Sequence, residues 1–129
     1  HKNMSIEQQT VEVDRVKRSE HGVITDPISL DPHHLLSDTL KIMEHYHISG
    51  IPITVHEKLV GIITNRDLRF EDNLQRPISE VMTKDHLITA PEGTTLQEAR
   101  NILMQHKIEK LPIVDDKYNL RGLITIKDI

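Results

Sequence analysis

The sequence predicts an α+β fold: two β-α-β-β-α units, related by a pseudo-twofold axis and packed through their sheets. Two observations carry this prediction. The first is an internal repeat, in which GIITNRD at 61–67 returns as GLITIKD at 122–128. Ile48, Pro52 and Ile53 return as Ile108, Pro112 and Ile113, 60 positions on, and Leu36, Ile42 and Met43 meet Leu96, Ile102 and Leu103 at the same offset. At Gly61 and Gly122 the offset grows to 61, so the second copy has one extra residue in a loop, where added length costs little. The second observation is that the hydrophobic period switches, within each copy, from helical to strand-like. Two copies are too few for a solenoid, so each is expected to cover the other's apolar face.

The elements follow in order. Residues 5–19 open on Ser5 with Gln8 three positions on, and their thin apolar stripe of Ile6, Val13 and Val16 predicts a helix that leans on something else. RSEHG (18–22) reads as a linker, and EVDRVKRSE (12–20) as a solvated face. Leu36, Leu40, Met43 and His47 recur at helical spacing, as do Leu96, Ala99, Leu103 and His106. Thr95 and Glu98 form a capping box for the second helix, whereas the first has Leu35 at that place and lacks the device. IPITV (51–55) with LVGIIT (59–64), and LPIVD (111–115) with LRGLIT (120–125), read as β-hairpins, with Pro52 and Pro112 near strand starts. NLQRPISEVMTKDH (73–86) bridges the copies, and Pro77 breaks any helix there. The expected division is a helix and linker over 1–22, one unit over 23–76 and a second over 77–129. That second copy stops one residue after Asp128, where the first continues as LRFED, so the chain is expected to be a piece of a longer protein.

Composition narrows the function classes. The 16 basic and 20 acidic residues argue against a nucleic-acid or anionic-membrane surface as the main business of the chain. No apolar run is long enough to span a bilayer, and HKNMSIEQQ has no signal-peptide core, so a soluble, cytoplasmic protein is expected. Without Cys there is no disulfide, thiolate metal site or cysteine nucleophile. The nine His cluster only at His33-His34 and His45-Tyr46-His47, which lack a matching carboxylate set, so no metal site is expected. Met43, Met82 and Met104 read as core filler.

The paired pattern of I-x-x-[hydrophobic]-P-[IV] followed by G-[IL]-I-T-x-x-D resembles the CBS domain pair, or Bateman module, over roughly residues 23–129. VKRSEHGVITDPISL, HYHISGIPI, KLVGIITNRDLRF, HKIEKLPIVD and LRGLITIKDI are together similar to the inosine monophosphate dehydrogenases. In that family the pair is inserted in a (β/α)8 barrel that oxidises IMP to XMP with NAD. The resemblance implies that residues 5–19 are a piece of barrel and that the barrel is a partner in the parent chain. The family's catalytic Cys loop is absent, so no catalysis is expected of this chain.

By the same likeness the module is a nucleotide sensor, with an adenine or guanine nucleotide, ATP first among them, lying between the copies. Thr64 and Asp67 would hold one ribose, and Thr125 and Asp128 another. The chemistry is sound: a carboxylate accepts from two vicinal hydroxyls, and a Thr hydroxyl at a helix start bonds a ribose or phosphate oxygen. Backbone N–H groups of the starting helix add donors for phosphate. Ile51, Pro52 and Ile53, with Leu111, Pro112 and Ile113, would wall a purine. Lys110 is a phosphate partner whose counterpart is Gly50, so the two clefts are expected to differ. T-x-x-D is equally a capping box, and the two roles can coexist. The rival function is a ligand-free interaction or dimerisation module, and a homodimer is expected in either case, since aliphatic helix faces need cover.

Overall fold

The computed structural model describes residues 23–126. The helix expected over 5–19, and Asp128 with the helix start after Thr125, lie outside them.

The first half is built from β1 (Val23–Thr25), α1 (Leu36–Tyr46), β2 (Gly50–Val55), β3 (Lys58–Thr64) and the short α2 (Asn65–Arg69). A 3-10 turn at Ile78–Glu80 leads to the second half: β4 (Ala90–Pro91), α3 (Leu96–His106), β5 (Lys110–Val114) and β6 (Leu120–Thr125). Both hairpins form as the sequence predicts, with β2 antiparallel to β3 and β5 antiparallel to β6. Each has one register shift, at Ile53/Thr54 and Ile113/Val114, so the repeat extends to its irregularities.

The pseudo-twofold relation includes an exchange. β1 does not pair within its own half; it runs antiparallel to β6, with Val23 opposite Ile124 and Thr25 opposite Gly122. The reciprocal contact is made by Thr83, which exchanges two 2.9 Å backbone hydrogen bonds with Ile62 on β3. Inner edges correspond as well: Leu30 bridges Ile53 in parallel as Ala90 pairs with Ile113. Each hairpin is therefore flanked on one side by its own half and on the other by its partner half.

The halves do not share one core. Leu30, Leu36, Ile42, Met43, Ile51, Ile53, Ile63, Leu68 and Ile78 form one buried cluster, and Ala90, Ala99, Leu103, Leu111, Ile113 and Ile124 another. Strand side chains alternate between faces, so the opposite faces carry Gly50 with Pro52 and Lys110 with Pro112. These too are buried, with Gly50 against the Lys110 stem. The sheets meet there.

Helix ends show where local chemistry gives way to tertiary contacts. At α3 the capping box forms as expected, with Thr95 Oγ1 accepting from the Glu98 N–H at 3.1 Å and Glu98 accepting from the Thr95 N–H at 2.9 Å. The second bond holds the Glu98 carboxyl below its usual pKa. At α1 half of the box survives, since Asp38 accepts from the Leu35 N–H at 3.2 Å. The missing acceptor is replaced from the linker, where the Arg76 and Leu74 carbonyls take the Leu36 and Ser37 N–H groups, each at 3.0 Å. Arg76 is itself fixed between Glu71 (2.7 Å) and Glu80 (3.0 Å), and the Glu80 bond is the chief cause raising its pKa. Both long helices stop on a non-glycine residue in the left-handed region, His47 and Lys107, each at φ 56°. His47, expected on the helical stripe, is thus the turn that ends it.

The hairpin loops differ and interlock. His56 and Glu57 make a two-residue turn with φ 50° and 72°, while the second loop is organised by Asp115. Asp115 accepts from the Asn119 N–H (2.8 Å), the Lys117 N–H (2.9 Å) and the Arg121 guanidinium (3.0 Å). Leu59 then donates to the Tyr118 carbonyl and Leu120 to that of Glu57, joining the tips.

Two predictions follow from these contacts. A Cβ on Gly61 would lie 2.6 Å from Met82 Sδ and 3.0 Å from the Thr83 carbonyl oxygen, which belongs to the exchanged backbone. Gly61→Ala is therefore expected to cost about 1–3 kcal/mol, read as a lower urea midpoint. The second concerns pH. The Asn119 N–H, first among its partners, holds Asp115 down from an ordinary 3.8 to about 2. A depressed carboxyl contributes stability above its unfolded pKa and loses it as pH falls through its folded one. Asp115→Asn should melt below the native chain at neutral pH, and the gap should close between pH 4 and 2, followed by circular dichroism.

Candidate functional site

A cleft of about 300 Å³ opens between the halves. From the first half it takes Ser49, Ile62 and the segment Thr64–Asp67 with Arg69; from the second it takes Thr83 and Lys107–Lys110. The exchanged strand brings Thr83 to β3, and the α3–β5 turn brings the lysines.

Thr64 and Asp67 sit together as expected. Asp67 Oδ2 accepts from the Thr64 N–H at 2.9 Å and from its hydroxyl at 3.3 Å. The hydroxyl donates to Asp67 instead of capping the helix, so the capping role falls on the carboxylate. Both residues are half-buried at the cleft edge, and both bonds to Asp67 are taken by Oδ2. Lys110, only 8% exposed, lies along Gly50 and lines the same cleft.

The six apolar residues expected as purine walls are placed elsewhere. Ile51 and Ile53 belong to the first core, Leu111 and Ile113 to the second, and Pro52 and Pro112 are fully buried. Their role as walls was implied by the family likeness, which does not say that Ile51, Ile53, Leu111 and Ile113 pack into the two cores. The apolar lining of the cleft is Ile62 and Ile108 instead. Thr125 is buried opposite Lys110 on β6, outside this cleft, and Asp128 is not among the described residues.

Sequence reading missed most of the charge. Arg66, Arg69, Lys107 and Lys110 face two carboxylates, Asp67 and Glu109, so the lining is cationic on balance. The signal was available: the turn before the hairpin reads HISG in the first copy and KIEK in the second. At this turn the second copy carries two lysines and a glutamate where the first carries a histidine, a serine and a glycine.

The CBS domain model matches this chain twice, over residues 20–72 and 78–129. The chain belongs to the CBS domain family. Its two matches are the tandem halves described above. Among curated proteins, the inosine-5'-monophosphate dehydrogenase of Bacillus subtilis (strain 168) is 62% identical over 132 residues. That of Streptococcus pyogenes serotype M3 is 58% identical over 132 residues. All of the chain is covered, but it spans only 27% of either relative. Among solved structures, the CBS domain pair of protein MJ0100, in complex with 5-methylthioadenosine and S-adenosyl-L-methionine, aligns with TM-score 0.76 and 28% identity. It covers 88% of this chain and 92% of that one. A GMP reductase of Trypanosoma brucei shares the fold at TM-score 0.77 and 24% identity, over 97% of this chain and 29% of that one.

Proposed function

We propose that this CBS pair binds an adenine nucleotide, ATP in particular, in the cleft between its halves, and thereby regulates the activity or assembly of an inosine monophosphate dehydrogenase of which it is a module. The observation that carries the reading is the cleft itself: a Thr64–Asp67 pair beside Arg66, Arg69, Lys107 and Lys110. The pair supplies a carboxylate for a ribose diol, and the cations supply the counter-charge for a polyphosphate. Ile62 and Ile108 give a base apolar contact. The adenosine-type ligands named for the MJ0100 pair support the ligand class, and the 62% identity to a dehydrogenase supports the parent enzyme. In this reading the catalytic barrel of the parent chain is the partner that the ligand acts on, and the setting is the cytoplasm. Among the described residues no helix is long and apolar enough to cross a membrane.

A dimerisation role is favoured by a separate observation. Phe70 is 82% exposed and Met104 61%, large apolar side chains that a second copy could cover. A homodimer is compatible with ligand binding.

Calorimetry with ATP, AMP, GTP and S-adenosylmethionine tests the ligand reading. ATP at a hundred times its Kd should stabilise the folded module by about 2.7 kcal/mol, seen as a raised melting midpoint. Absence of both heat and shift with ATP and AMP overturns it, whatever GTP does.

Asp67→Asn separates the two roles of that carboxylate. The amide oxygen can still accept from the Thr64 N–H, so the ligand-free midpoint should barely move, at a cost toward the low end of about 0.5–2 kcal/mol. Loss of a charge-assisted ribose contact, about 1.5–3 kcal/mol, should weaken ATP binding about 10–100-fold. A lowered midpoint with unchanged affinity would assign Asp67 to capping alone.

A further inference from the structure

Resting on the nucleotide reading above, we infer that Gly50 is a positioning residue: it seats Lys110 in the cleft, and because only one of the two positions can hold a long side chain, the pair makes the two pseudo-symmetric clefts unequal toward phosphate.

Positions 50 and 110 are mates in the repeat, and each opens its hairpin opposite a Thr, Gly50 against Thr64 and Lys110 against Thr125. They also touch. A Cβ built on Gly50 lies 3.1 Å from Lys110 Cε and 3.2 Å from its Cγ. Mates of a twofold that are in contact lie at the axis itself. Two lysines there would claim one space, so the charge asymmetry is steric in origin. Backbone conformation does not require this glycine, because Gly93 is the glycine with positive φ among the described residues. Space is what position 50 provides.

The perturbation from a methyl group would be selective. It crowds the Lys110 stem, whereas Thr64 Cγ2 at 3.4 Å is an ordinary contact. Lys110 is also the cation whose displacement matters most. Arg66, Arg69 and Lys107 are exposed and screened by water and salt, while Lys110 is buried, where a charge acts more strongly on a ligand beside it.

The test is a double-mutant cycle on ATP affinity in the whole module, with Gly50→Ala, Lys110→Ala and the pair. Gly50→Ala should weaken ATP binding about 10-fold in the native background. In the Lys110→Ala background, where no stem remains to displace, it should change affinity by less than about 2-fold. Equal losses in both backgrounds, or no loss in the native one, overturn the seating role and leave the nucleotide reading intact. If the native module itself takes up no ATP, the nucleotide reading falls first and this inference with it. Should Gly50→Ala unfold the chain, seating requires Lys110→Ala to restore folding, and failure to restore it is equally decisive against the inference.

Discussion

The exchange of one strand between the halves is the constraint on which the rest of the structure depends. β1 gives its backbone hydrogen bonds to β6, and Thr83 gives its own to Ile62 on β3, so each hairpin has an edge that only the other half can satisfy. An unpaired edge is a cost in stability and an invitation to aggregate. The exchange pairs that edge of each hairpin and ties the halves to each other. It also explains the glycine in the repeated G-[IL]-I-T. The exchanged backbone passes close over Gly61, and Gly122 faces Thr25 in the corresponding pairing. The repeat therefore records a meeting of backbones as well as a site.

That double use extends to the last letters of the repeat. Asp67 is occupied by Thr64 in the absence of ligand, through one carboxylate oxygen. A ligand diol arriving there meets a carboxylate already oriented by the helix start, which lowers the ordering it must impose. Lys107 adds a second case, since a non-glycine residue at φ 56° is mildly strained and lines the cleft.

Much of this was legible in the sequence, and the gaps have physical causes. The hairpins, the Thr95–Glu98 cap and the pseudo-twofold pairing are local or repeated signals, and all three appear in the structure. The partner of β1 was not legible, because Val-Ile-Thr specifies a strand and says nothing of a mate about a hundred residues away. The cap on α1 was hidden for a similar reason: carbonyls of Leu74 and Arg76 do what a side chain at Leu35 cannot, and backbone carries no sequence signature. The apolar triplets were expected as walls from the family likeness alone, and both faces of a buried strand read as hydrophobic, so the pattern could not correct it. Only the helices covering Ile51, Ile53, Leu111 and Ile113 decide which face is core. For the cleft, Thr64, Asp67 and Lys110 were readable from the motif, Lys107 needed the KIEK turn to be set against HISG, and Arg66 and Arg69 come from α2 beside Asp67.

The β1–β6 ladder has a mechanical consequence. Val23 pairs with Ile124, so the chain enters and leaves the described region side by side, at the same end of a three-residue ladder. Any tension or twist carried by the flanking chain enters the β1–β6 ladder at both points. The first half receives it through the chain that follows β1, the linker, the Thr83–Ile62 bonds, the interlocked hairpin tips and the sheet contact around Gly50 and Lys110. The cleft lies between the two halves that such tension would pull on, with Lys110 of the second half resting along Gly50 of the first.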